Sequence, residues 1–277
     1  MKIIHFFPIL AAFVLASCGN TANEKTSKSA TQAEAVPMAK PTPDEKEYQL
    51  VPFAKSAEFA DAKLESMAYK NGKFTFKYSG KDYQLGDQTS DAPLKMCANS
   101  AKGQHIHLIV DDEPYSAHYT PEFDYTIADG EHTILAFLSR SYHESIKNGQ
   151  AFIAKKVTVK NGSITKSEDI KEPMIFYSRP KGDYVGKAET DKVMLDFFLI
   201  NAELGEGKYS VAVDVNHQRT HFLKVWEPYY IENLPMGENV IKLTLLNPNE
   251  DPVKTPYNPI ERTFNLKEDP AQPQATK

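Results

Sequence analysis

The sequence predicts an all-β protein built as two tandem Ig-like β-sandwich domains, and three observations carry that reading. Short runs rich in Tyr, Phe, Val, Ile and Thr alternate apolar with polar residues. Gly, Asn, Asp and Pro separate those runs, and the chain repeats itself without gaps. A period of two marks a strand with one buried face, and short strands at regular spacing suggest a sandwich. No run after residue 18 has convincing helical periodicity.

Phe74-Thr-Phe-Lys-Tyr78 alternates cleanly, as do Lys156-Val-Thr-Val159 and Arg262-Thr-Phe-Asn-Leu266, with Lys192 to Phe197 alternating in part. The repeat joins these runs. Pro121 to Val159 aligns on Pro228 to Leu266, so that Gly130-Glu131 meets Gly237-Glu238, Ile134 meets Ile241 and Leu138 meets Leu245. A second block sets Phe74 to Gly86 against Val193 to Gly205, both ending in Leu-Gly. Copy one is therefore assigned to residues 47–170 and copy two to 171–268, with a flexible junction near Lys171-Glu172-Pro173.

The ends of the chain read differently. Lys2 precedes a short apolar run from Ile3 to Val14, and Leu15-Ala-Ser-Cys18 closes it with small residues, the anatomy of a cleaved export signal over residues 1–17. The tetrapeptide resembles a lipobox, which implies acylation of Cys18 (palmitate among the chains) and a membrane partner reached through lipid alone. Residues 18–46 lack aromatics and are rich in Ala, Thr, Lys, Glu, Ser and Pro, so they read as a flexible tether; residues 269–277 read as a disordered tail. Gly19-Asn-Thr-Ala22 lacks an acidic patch like that of surface-export signals and does not resemble an inner-membrane retention signal. The expected address is the outer membrane, facing the periplasm.

A net charge of −5 argues against nucleic acid as a partner. The expected partners are the membrane and another envelope protein or a peptide. Only two cysteines occur, so acylation of Cys18 leaves Cys97 as a lone thiol with no internal disulfide to make.

Copy one carries the chemistry. It inserts Asp87 to Lys102, with Met96 and Cys97, where copy two passes directly to its next strand. It holds His105, His107, His118, His132 and His143, whereas copy two has His217 and His221 at unmatched positions. Gln104 to Val110 reads as a strand with Ile106, Leu108 and Val110 on one face, which puts His105 and His107 together on the other. Two imidazoles on one face can hold a metal ion, with His132 or His143 as the third ligand. Neutral imidazole suits copper or zinc, and sulfur from Met96 or Cys97 would favour Cu(I). The competing reading is a pair of structural, hydrogen-bonded histidines.

Arg140-Ser141-Tyr142 in the loop after a strand, and Arg179 near the junction, form a second candidate, because guanidinium and hydroxyl groups receive carboxylate or phosphate. Catalysis by Cys97 with a histidine base is the third reading. No cysteine-enzyme signature surrounds it, and no Gly-x-Ser-x-Gly elbow, Walker loop or dinucleotide fingerprint occurs.

Cys97-Ala-Asn-Ser-Ala-Lys-Gly-Gln-His-Ile-His-Leu-Ile109, Phe137-Leu-Ser-Arg-Ser-Tyr-His-Glu-Ser145, Phe176-Tyr-Ser-Arg-Pro-Lys-Gly182 and Leu234-Pro-Met-Gly-Glu-Asn239 resemble an uncharacterised family of Bacteroidota lipoproteins. The resemblance covers nearly all of the chain after Cys18. It implies an exported two-sandwich lipoprotein and, from the label some members carry, phosphopeptide binding. His105 to His143 is also similar, more distantly, to small exported β-sandwich domains with a histidine-rich strand, a Gly-x-His-Thr turn and a late histidine in an Asn/Tyr-His loop. Taken together, the expectation is a lipid-anchored, non-catalytic binding lipoprotein with a ligand or metal site in copy one. A phosphopeptide- or anion-binding adaptor and a thiol-dependent enzyme are the alternatives.

Overall fold

Alternation along the chain becomes pairing across it. The computed structural model describes residues 47–270; the expected signal at 1–17, Cys18, the tether at 18–46 and residues 271–277 of the tail lie outside the described residues. The elements in chain order are β1 (Gln49–Pro52), β2 (Lys63–Lys70), β3 (Lys73–Ser79), α1 (Ala92–Lys95), β4 (His105–Val110), β5 (Ser116–His118), β6 (Glu122–Asp124), β7 (Gly130–Ser139), β8 (Phe152–Lys160) and β9 (Ser163–Asp169). The chain continues with β10 (Met174–Arg179), β11 (Gly182–Val185), α2 (Lys187–Thr190), β12 (Lys192–Ile200), β13 (Ser210–Val215), β14 (Arg219–Leu223), β15 (Tyr229–Glu232), β16 (Gly237–Leu246) and β17 (Ile260–Lys267). The two helices are single turns. No helix of the described residues is long and apolar enough to cross a membrane.

The fold is all-β, two Ig-like sandwiches in tandem. In the first, a sheet of order β2-β3-β6 faces one of order β5-β4-β7-β8-β9. In the second, β10, β12 and β15 occupy the places of β2, β3 and β6, while β14, β13, β16 and β17 occupy those of β5, β4, β7 and β8. The aligned blocks coincide with these elements: Gly130 and Gly237 open β7 and β16, and Ser139 and Leu246 close them. Asn71-Gly72 and Asn161-Gly162 turn the β2–β3 and β8–β9 hairpins with positive φ at both residues, which suits the right-handed twist of the flanking strands.

Each sandwich fills its own interior. Phe74 and Phe76 of β3 meet Ile106, Leu108 and Val110 of β4 and Ile134, Ala136 and Leu138 of β7. Val193, Leu195, Phe197 and Leu199 of β12 meet Val211, Val213, Ile241, Leu243, Leu245 and Phe264 in the second.

The opposite faces of these sheets are buried too. Ile109, Leu135 and Phe137 from the first sandwich pack on Met174, Phe176, Phe198 and Ile200 from the second. The expected flexible junction is accordingly a packed seam. Ile170 is buried in it, Asn201 Nδ2 donates to the Ile170 carbonyl at 2.8 Å, and Lys156 pairs with Glu172. Residues 47–270 form one compact unit. β1, from the start of the stretch assigned to copy one, adds to the second sandwich by pairing with β15, Leu50 opposite Ile231.

Candidate metal centre

The site follows from strand parity. In the β4–β7 ladder His105 lies opposite Ser139 and His107 opposite Phe137, so both histidines point into the seam while Ile106 and Leu108 fill the first sandwich. Both side chains are fully buried. Beyond β7 the chain doubles back, with Ser139 bridging to Ser145, and His143 sits in that turn at φ 69°. This left-handed backbone carries its ring back over β4.

Three imidazoles therefore converge. His105 Nε2 lies 2.8 Å from His107 Nε2 and 3.1 Å from His143 Nδ1. One coordinating nitrogen from each of the three falls within 4.8 Å of the others. His105 Nδ1 lies 2.8 Å from the Gly103 carbonyl, which can only accept, so Nδ1 carries the proton and Nε2 presents its lone pair to the centre. Gly103 has φ +83° and a Cβ there would stand 2.2 Å from the Gly86 carbonyl oxygen, so this acceptor position requires glycine. His107 Nδ1 lies 3.4 Å from Ser178 Oγ across the seam.

The surroundings are aromatic and cationic. Tyr115 stacks on His107 at 3.7 Å between ring centroids, and Tyr119 and Phe137 flank His105 and His107 at 5.0 Å each. The Tyr115 hydroxyl lies 3.5 Å from His143 Nδ1 and accepts from Arg179 Nη1 at 2.8 Å. Lys181 Nζ sits 4.5 Å over the Tyr115 ring and donates to the Tyr115 carbonyl. A bulge between Tyr177 and Arg179 on β10 sets Arg179 opposite Asp196, on the seam face that also carries Phe198.

Burial pushes the His105 imidazole down to about 4, against the hydrogen bond to Gly103, which favours its charged form. Burial also drives His107 and His143 well below the ordinary histidine value, with Arg179 and Lys181 adding to the shift. All three are neutral at pH 7, the state in which imidazole binds a metal.

The other expected ligands stand apart from this centre. His132 has the parity of Ile134, away from the seam, and its ring bonds Asp111 Oδ2 at 2.6 Å and the Ala128 carbonyl at 2.9 Å. Met96 caps α1 at φ 50° with its side chain 67% exposed. Cys97 packs on an apolar cluster of Phe53, Ala92, Tyr142, Met194 and Tyr230. Burial pushes its thiol up to about 12, so a nucleophilic thiolate scarcely forms at neutral pH.

The Arg140 loop serves the scaffold. Arg140 is buried, donates to the Ala57 carbonyl at 2.6 Å and pairs with Glu144 at 3.4 Å. Ser141 exchanges hydrogen bonds with Thr89, at 2.9 Å from its N–H and 3.2 Å to its hydroxyl, and Tyr142 donates to Asp91 at 3.1 Å. The Lys95 ammonium, in the same insertion, donates to the carbonyls of Ala54 and Lys55 at 2.8 Å each, and the Lys95 carbonyl accepts from the Tyr230 hydroxyl at 2.6 Å. The insertion thus ties the N-terminal segment, the Arg140 loop and the second sandwich together, and these loop groups are committed to one another. Of the residues that border the histidines, the sequence gives no sign of Tyr115, and it marks Ser178 and Lys181 only as part of the Phe176 to Gly182 stretch, not as neighbours of the histidines. Only the strand pairing and the bulge bring them there.

No family model matches the sequence, and no curated protein does. Among solved structures the chain is similar to the fibronectin(III)-like modules of Clostridium thermocellum CbhA, at 10% identity and a TM-score of 0.28, over 83% of this chain and 100% of that one.

Proposed function

We propose that the protein is a lipid-anchored, non-catalytic lipoprotein of the cell envelope, held at the outer membrane facing the periplasm, whose first sandwich binds one copper or zinc ion through His105, His107 and His143. The observation that carries this reading is the meeting of three neutral imidazole nitrogens at one buried point. The single lone pair of His105 Nε2 cannot satisfy both neighbours at 2.8 and 3.1 Å, whereas a cation at the centre accepts from all three rings. Ligands held at about 2.0–2.1 Å in a tetrahedral arrangement lie roughly 3.3 Å apart, a separation close to the 2.8 and 3.1 Å from His105 Nε2 to its two neighbours, with all three nitrogens within 4.8 Å of one another. The Gly103 carbonyl and Ser178 hydroxyl fit the outer role of orienting a ligating histidine.

Titrating metal-free protein with Zn(II) and with Cu(I) should give one ion per chain, and His105→Ala combined with His107→Ala should abolish it. Because burial lowers His105 to about 4, proton competition should weaken binding near that pH, some two units below free imidazole. Stoichiometric binding that survives the double substitution would place the metal elsewhere.

The lipid anchor is tested separately. Cys18→Ala should move the protein from the membrane fraction to the soluble periplasmic fraction. Retention of that variant on membranes after a high-salt wash refutes acylation as the anchor.

A further inference from the structure

The three-histidine centre carries a charge environment that discriminates between the ions it would hold. This step rests on the metal-binding reading above and extends it to the ion selected. The ligand set is three neutral rings with no carboxylate and no thiolate among them. The carboxylates of Asp196, opposite Arg179, and of Glu144, next to His143, are occupied elsewhere: Asp196 pairs with Lys147 and accepts from the Ser145 N–H at 2.9 Å, and Glu144 pairs with Arg140 and accepts from Ser56. The nearest permanent charges are positive. Arg179 Nη1 reaches the Tyr115 hydroxyl at 2.8 Å, and that hydroxyl stands 3.5 Å from His143 Nδ1, so the guanidinium is about 6 Å at most from a ligand nitrogen. The Lys181 ammonium lies 4.5 Å over the ring of the same tyrosine.

From these positions we infer that the centre selects a monovalent soft cation, the cuprous ion, over Zn(II). A divalent ion held by three neutral imidazoles keeps its whole charge of two beside two cations, in a site lined by Tyr115, Tyr119 and Phe137. A unit charge about 6 Å away at an effective dielectric of about 20 shifts a binding equilibrium roughly a hundredfold per unit of ion charge, so Arg179 penalises Zn(II) by the square of its penalty on Cu(I). Coordination number points the same way: Cu(I) is satisfied by two or three nitrogen ligands, whereas zinc with three protein ligands takes a fourth from water or substrate. Two of the three rings here are fully buried.

The test is a pair of competition titrations on the intact, metal-free chain at pH 7. Cu(I) is delivered anaerobically from a chromophoric chelator, and Zn(II) is delivered from a zinc indicator. Cu(I) should bind one per chain, with Zn(II) at least a hundredfold weaker. Lys181→Met removes a half-buried charge without touching a ligand, and Arg179→Met removes the buried one. Each should strengthen both ions, with the logarithmic gain for Zn(II) about twice that for Cu(I). Should Arg179→Met fail to fold, Lys181→Met alone decides the ratio. Zn(II) binding as tightly as Cu(I), or equal gains for the two ions, overturns the inference and leaves the metal site standing. Zn(II) binding that phosphate or carbonate strengthens and Arg179→Met weakens also overturns it, since the cations would then serve a co-bound anion. Binding of neither ion sinks the metal reading itself.

Discussion

Lowering the pH from 7 to about 4 should remove at least about 3 kcal/mol of folding stability from the metal-free protein. An unfolded histidine takes up a proton near 6.5, whereas folded His105 resists protonation until about 4. Between those values the unfolded chain binds a proton that the folded chain does not, so stability falls as the pH falls, by about 1.4 kcal/mol per unit for each such group. Burial, with the neighbouring cations adding to it, also holds His107 and His143 well below the ordinary histidine value, so their contributions have the same sign. A loss of this size is a large part of the 5–15 kcal/mol typical of a domain. Urea unfolding at pH 7, 6, 5 and 4, followed by the fluorescence of Trp226, is the measurement. His105→Gln should flatten the dependence by about one proton. A stability that stays level between pH 7 and 5 would show that these rings charge in place, and the neutral three-imidazole centre would be lost with it.

The strands were legible because alternation is a local property, and the repeat placed them. The ungapped blocks carry β6, β7 and β8 onto β15, β16 and β17, and β3 onto β12. The burial of both faces of β4 and β7 was not legible, since the cover for His107, Leu135 and Phe137 comes from strands some forty to ninety residues later. The pairing of Gln49–Pro52 with β15 is equally remote in sequence. Of the two possible third ligands, parity on β7 sends His132 away from the seam, and a left-handed residue in the following turn returns His143 to it. Parity can be read from a sequence once the partner strand is known; a backbone reversal of that kind leaves no comparable trace. The sulfur-bearing insertion looked like metal chemistry because Met96 and Cys97 adjoin the His-x-His strand. Cys97 instead packs on Phe53, Tyr142, Met194 and Tyr230, and Met96 is exposed.

Phe198→Ala should destabilise the protein by about 3–5 kcal/mol, the usual consequence of emptying a buried aromatic site, and should do so by loosening the seam. Phe198 is fully buried on the outer face of β12, its neighbours Phe197 and Leu199 pointing into the second sandwich. Its ring stacks on Phe137 at 5.1 Å, meets Phe152 at 5.0 Å and takes Trp226 edge-on at 5.1 Å, so two of its three aromatic partners belong to the first sandwich. Alanine here cuts contacts between the sandwiches while leaving each interior filled. Two readouts separate this from an ordinary core defect. Limited proteolysis of the wild type should leave the chain uncut near Lys171, because Ile170 and Glu172 are held at the junction. Phe198→Ala should open a cut there. Metal selectivity should narrow as well, since Arg179 and Lys181 approach the histidines, and disfavour Zn(II) more than Cu(I), only while the seam is closed. A truncation in the second sandwich's own interior, Phe264→Ala, should cost comparable stability yet leave the preference for Cu(I) over Zn(II) unchanged wherever the protein remains folded. If Phe198→Ala lowers the unfolding midpoint without exposing Lys171 or narrowing that preference, the two sandwiches are held together by something other than this aromatic cluster, and the centre is a property of the first sandwich alone.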